Sequence, residues 1–171
     1  MPLVDIPPRK WGEPTLKIPQ PPGWEFVQID EGDESARFEL ANPALSAHPQ
    51  TAPNAVVTLG TDPRYSSAQE LFDEADTEMI NIGFEREMKP SAATVCGQPA
   101  QLGKYTIALE GMSNPVFAKV LLVAAQSESE SYLANLFVAT SEPDNPIYQR
   151  DSQAILDGFV FLPPIPGGTS G

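Results

Sequence analysis

The sequence predicts a mixed α/β (α+β) domain, a three-layer α/β/α sandwich in which one antiparallel sheet carries helices on both faces. Three observations predict it. Two segments, one following Ser67 and one following Asn145, have helical apolar spacing and helix-capping residues. Two others, Val116–Ala125 (apart from Lys119) and Tyr132–Thr140 (interrupted by Asn135), are apolar on both faces, the pattern of central strands covered from both sides. The links Gly111–Pro115 and Gln126–Ser131 are short, whereas a parallel crossover needs about a dozen residues, so these strands are antiparallel neighbours.

Residues 1–14 read as an irregular arm. Leu16–Ile18 and Trp24–Gln28 read as strands on either side of Pro21-Pro22-Gly23, a corner that proline stiffens by fixing φ and removing an N–H donor. Asp30-Glu31-Gly32-Asp33-Glu34 is an acidic turn before a strand at Ala36–Leu40. A proline-punctuated loop, 42–53, precedes the strand Ala55–Gly60.

Ser66 or Ser67 caps the first helix, and Glu70 stands three residues after Ser67 as in a capping box. Ala68, Leu71, Phe72, Ala75, Met79 and Ile80 recur at helical spacing and form its apolar face. Gln69, Glu70, Asp73, Glu74, Asp76, Thr77 and Glu78 fill the other. Gly83 is its stop signal. Period-two patterning then predicts strands at Phe84–Met88 and Gln101–Glu110, with Tyr105, Ile107 and Leu109 sharing a face. Asn145 (cap) and Pro146 (first turn) open a second helix to Leu156, with Tyr148, Ser152, Ile155 and Leu156 inward. Gly158 ends it, and Phe159–Phe161 returns as a strand.

The 171 residues fit one domain: an arm at 1–14, a single domain at 15–162 and a flexible tail at 163–171, with many of the 19 prolines near the ends. The net charge of −13, from 23 acids against 10 bases, repels phosphate backbones and argues against nucleic-acid binding. No apolar run is long enough to span a membrane. The single cysteine, Cys96, excludes an intramolecular disulfide, and no cofactor motif is present.

Three stretches carry a family resemblance, in order: Ile18-Pro19-Gln20-Pro21-Pro22-Gly23-Trp24, Gly97-Gln98-Pro99-Ala100-Gln101-Leu102-Gly103-Lys104-Tyr105, and Ala154-Ile155-Leu156-Asp157-Gly158-Phe159-Val160. Together they resemble the LpqN/LpqT family of mycobacterial cell-envelope lipoproteins over roughly residues 14–162. The resemblance implies a PsbP-like fold. It also implies an exported, non-enzymatic protein, often anchored through an N-terminal cysteine, with links to envelope biogenesis, lipid or glycolipid handling and protein contacts. The sequence departs from the family pattern in showing neither the anchoring cysteine nor the signal, the expectation being either that both lie outside it or that this member is not anchored. The shared stretches map to turns and packing and carry over no catalytic residue.

No residue set specifies a reaction. His48 is the only histidine, and no Gly-x-Ser-x-Gly elbow supplies a nucleophile for it, so it reads as a loop residue. Cys96 reads as a small buried or turn residue, not a nucleophile paired with His48. One cysteine and one histidine do not make a structural zinc site. The acids at 30–34 lack the spacing of a calcium loop and read as a solvated turn. The acidic face of the first helix reads as a solvated face. Trp24 reads as core; Trp11 reads as packing the arm down, with a ligand-facing aromatic as its alternative. Trp11 and His48 are the candidate ligand-binding residues. The expected function is non-catalytic: a monomeric, extracytoplasmic protein that binds an envelope lipid or glycolipid, or an envelope protein. The alternatives are a pure protein-interaction module using the acidic helix or the Pro-rich ends, and a hydrolase.

Overall fold

The computed structural model describes residues 1–46, 52–63, 67–108, 110, 114–127 and 130–164. The larger of two sheets has eight strands: β3 (Glu25–Phe26), β4 (Ala36–Ala41), β5 (Asn54–Asp62), β6 (Glu85–Arg86), β7 (Ser91–Val95), β8 (Gln98–Ile107), β9 (Val116–Gln126) and β10 (Ser131–Thr140). Their order is β3-β4-β5-β10-β9-β8-β6, with β7 also paired to β8, and every pairing is antiparallel. The smaller sheet is β1 (Leu3–Ile6), β2 (Thr15–Pro19) and β11 (Val160–Leu162), ordered β1-β2-β11. The helices are α1 (Ala68–Asn81) and α2 (Pro146–Gly158).

Strand alternation divides the core in two. From β9, Ala118, Val120, Leu122 and Ala124 join Leu71, Phe72, Ala75 and Met79 of α1. Leu121, Val123 and Ala125 point the other way, into a core shared with Tyr148, Ile155 and Leu156 of α2 and with Ile6, Leu16, Ile18 and Phe161 of the small sheet. The expected sandwich is therefore corrected on one side: α1 covers one face alone, and α2 shares the opposite face with a second sheet.

The second sheet also corrects the reading of the N-terminus. Residues 1–14 are not an irregular arm, because Leu3–Ile6 pairs with β2 in register Leu3↔Pro19 to Ile6↔Leu16. Arg37 and Glu13 fasten the segment between β1 and β2: Nη2 donates to Oε1 over 2.7 Å and Nε to Oε2 over 3.2 Å, with both side chains buried. The two strands flanking Pro21-Pro22-Gly23 belong to different sheets. Pro21 is fully buried, and the Trp24 N–H donates to the Pro21 carbonyl over 3.1 Å, so the corner carries the chain from one sheet to the other.

Both helix starts are explained by their caps. Ser67 Oγ accepts from the Glu70 N–H over 3.2 Å. Asn145 Oδ1 accepts from Ile147 and Tyr148 over 2.9 and 3.2 Å, with Pro146 placed where no N–H is required. The expected strand Phe84–Met88 is shortened to Glu85–Arg86, and the second strand at Trp24–Gln28 to Glu25–Phe26, with one further backbone bond each, from Glu87 to Lys104 and from Val27 to Glu39. Strand β8 starts earlier than expected, at Gln98, because Cys96-Gly97 forms a two-residue hairpin turn from β7. Their φ values of 51° and 81° match the twist such a turn requires. Beyond Pro164, the expected tail lies outside the described residues.

Candidate functional site

A cleft of about 450 Å³ opens between α2 and strands β8 and β9 of the large sheet. Phe117, Pro143 and Tyr148 give it apolar wall. Lys104, Lys119, Gln149 and Gln153 give it polar wall, and Glu87 and Asp144 stand at its sides. The fold brings the lysines together: Lys104 of β8 and Lys119 of β9 are directly opposed in the ladder. Tyr105 and Ala118, next to them in sequence, point into the α1 core, so both lysines project to the α2 side. Lys119 Nζ lies 3.4 Å from Ser152 Oγ of α2. Burial, and then the neighbouring Lys104 charge, push the Lys119 ammonium below its usual range, while Asp157 opposes the shift. The Tyr148 hydroxyl turns inward to the Val138 carbonyl over 3.4 Å, and burial raises it above the ordinary phenol range.

On the opposite face, Asp76 of α1 is only 8% exposed although its helical position is one of the polar ones. Its Oδ1 accepts from the Tyr105 hydroxyl over 2.6 Å, and the Arg86 guanidinium grips both carboxylate oxygens. The Arg86 hydrogen bonds hold the Asp76 carboxyl below its ordinary value of 3.8 against the opposing effect of burial, and Tyr105 adds to the lowering. Both Asp76 carboxylate oxygens are engaged, so the cluster works as a brace between α1 and β6–β8.

The residues singled out from the sequence do not converge. Trp11 does not pack the arm down: it is 72% exposed, carried outward on a turn where Gly12 has φ 84°. His48 lies outside the described residues. Cys96 is exposed at its hairpin turn, agreeing with the turn reading and not the buried one. The acids at 30–34 form a turn whose carbonyls serve a cation from this chain: Arg9 donates to the carbonyls of Asp33 and Glu31 over 2.5 and 3.0 Å. Among the described residues no group of three or more His, Cys, Asp or Glu is arranged to hold a metal ion. No helix among them is long and apolar enough to cross a membrane. The lysine pair was missed because opposition depends on strand register. Its one trace in the sequence is Lys119, the single charge in a strand otherwise apolar on both faces.

A large antiparallel sheet, α1 on one face and α2 with a small sheet on the other, defines the class: an α+β domain with the architecture of the Saccharomyces cerevisiae Ran-binding protein Mog1p. That structure covers 95% of this chain and 97% of its own at TM-score 0.54 and 14% identity. The crystal structure of Mycobacterium tuberculosis LpqN, described as involved in cell envelope biogenesis, matches at TM-score 0.76 over 95% of this chain and 91% of its own, with 17% identity. The family model described as "Probable lipoprotein LpqN" matches residues 3–161, and the chain belongs to this family. No curated protein sequence gives a significant match. The family match takes in β1, in keeping with the strand pairing of the N-terminal residues.

Proposed function

We propose that this chain is a non-catalytic, extracytoplasmic protein of the cell envelope whose cleft between α2 and the large sheet docks an envelope lipid or glycolipid, or an envelope protein that handles one. The observation carrying this reading is the cleft itself. Its volume of about 450 Å³ suits a headgroup and the first part of an apolar moiety, and it mixes apolar wall with a few convergent polar groups, as ligand sites do. Family membership and the envelope role described for the M. tuberculosis relative supply the compartment. The non-catalytic reading draws support from Cys96, which stands in a tight exposed turn, and from Asp76, whose two carboxylate oxygens are held by Arg86 and Tyr105. The chain acts as a monomer in this reading.

Native mass spectrometry of the folded chain after exposure to a total envelope lipid extract tests it. A discrete adduct is expected, and its mass identifies the ligand class. Absence of any adduct moves the function to protein docking. The exposed Trp11 favours that second reading, since tryptophan is a common interface anchor. Cross-linking in the native envelope then identifies the partner.

A further inference from the structure

Resting on the reading of the α2 cleft as the docking site, we infer that Lys104 and Lys119 form a twin-lysine seat for a phosphate-type anion, the charged group of an amphiphile whose apolar part runs along Phe117 and Pro143. Like charges placed directly opposite each other across a ladder destabilise it, because facing side chains stand only about 5 Å apart at Cβ. This chain has 10 bases against 23 acids, so carboxylates to separate or neutralise two lysines are plentiful. Four other cations in the described structure take one each, Lys17 with Asp5, Arg37 with Glu13, Arg86 with Asp76 and Arg150 with Asp151, while Arg9, Lys10 and Lys89 have no ion pair among the described residues. Among the described residues, neither Lys104 nor Lys119 has a carboxylate within ion-pair distance, although Glu87 and Asp144 line the same cleft. Lys119 has a hydroxyl, Ser152 Oγ, at the long distance of 3.4 Å.

The carboxylates that face the pair are Glu87 from the β6–β7 link, Asp144 from the loop before α2 and, acting on Lys119 through space, Asp157 of α2. They limit the positive field to the immediate neighbourhood of the two ammonium groups. The seat therefore suits a compact anion held between two donors and discriminates against an extended polyanion such as nucleic acid, which the net charge repels. An anion between the two ammonium groups also relieves their repulsion.

The test is calorimetric titration of the full chain with inorganic phosphate, with dihexanoyl phosphatidic acid and with the uncharged amphiphile dodecyl glucoside. Both phosphates are expected to bind at one site, and Lys104→Met and Lys119→Met are each expected to weaken them by about tenfold or more. Tighter binding of phosphatidic acid than of phosphate identifies a lipid headgroup as the ligand; equal affinities identify the free anion. Thermal melting without ligand confirms that each variant folds, and its midpoint is expected to hold or rise as the repulsion is removed. Lys119→Arg is expected to keep binding within a few-fold. Failure of both phosphates to bind, or binding undiminished in both Met variants, overturns the seat. Dodecyl glucoside binding alone overturns the seat and leaves the docking reading standing. Phosphate binding with no adduct from the envelope extract does the reverse.

Discussion

The Trp24 indole Nε1 donates to Asp151 Oδ2 over 2.9 Å, across 127 residues of chain. Trp24 closes the corner between the two sheets, and Asp151 is a fully buried residue of α2. The bond therefore ties the sheet-crossing corner to the helix that walls the cleft. Asp151 Oδ1 takes the Arg150 guanidinium, so neither carboxylate oxygen is left without a partner.

Trp24→Phe retains most of the apolar volume and removes the donor. A buried hydrogen bond to a charged group contributes about 1.5–3 kcal/mol, and the orphaned oxygen adds to the loss. Urea unfolding is expected to show a destabilisation of that order with an unchanged denaturant slope. A loss under about half a kcal/mol means the bond is not a significant tie.

Asp76 sets an acid limb. Its carboxyl titrates lower in the folded chain than its ordinary value of 3.8. Its contribution to stability is present above that ordinary value and is lost as pH falls through the lower, folded one. Asp76→Asn is expected to be less stable than the parent at neutral pH by about 1–3 kcal/mol and to converge on it in strong acid. Circular dichroism melts from about pH 6 to about pH 2 read this directly. Parallel curves for the two proteins would show that the ion pair carries no acid sensitivity.

The turn at Cys96 offers a stabilising change. Cys96 has φ 51°, a left-handed conformation that asparagine tolerates better than cysteine, and Asn-Gly is the preferred pair for this turn. Cys96→Asn is expected to stabilise the fold by about 0.5 kcal/mol and to leave ligand binding unchanged. A drop in binding would instead place Cys96 in the functional site.

Gly103 and Tyr105 lie two apart on one face of β8, and the tyrosine ring covers the glycine. A Cβ at Gly103 would stand 2.6 Å from the ring. Gly103→Ala must displace Tyr105 and with it the hydroxyl that donates to Asp76, at a cost of about 1–3 kcal/mol. A crystal structure of the variant is expected to show the ring rotated and the 2.6 Å bond broken.

Elements built from local chemistry were legible in the sequence: the caps at Ser67 and Asn145, the apolar faces of α1 and α2, and the doubly covered strands β9 and β10. Relations that depend on partners were not. Asp76 and Asp151 look like surface acids by residue type, and only Arg86, Tyr105 and Trp24 make their burial tolerable. Leu16-Lys17-Ile18 alternates in the same way whichever sheet receives it, so the second sheet left no mark in the pattern. A cysteine at positive φ is rare enough that Cys96-Gly97 did not read as a hairpin. Lys104 and Lys119 came together only through register, which patterning within single strands cannot supply.

The small sheet pairs residues from the two ends of the chain: Leu16 faces Phe161, and Lys17 faces Val160. During synthesis the first two strands leave the ribosome long before their third partner exists. Leu16 and Ile18, fully or almost fully buried at the end, must wait with their apolar side chains uncovered. Closing so long a loop is entropically slow, which places this step late in folding. The nascent chain thus depends on a late strand to shelter a much earlier one, and loss of β11 is expected to expose the β1–β2 hairpin to proteases before it affects the large sheet.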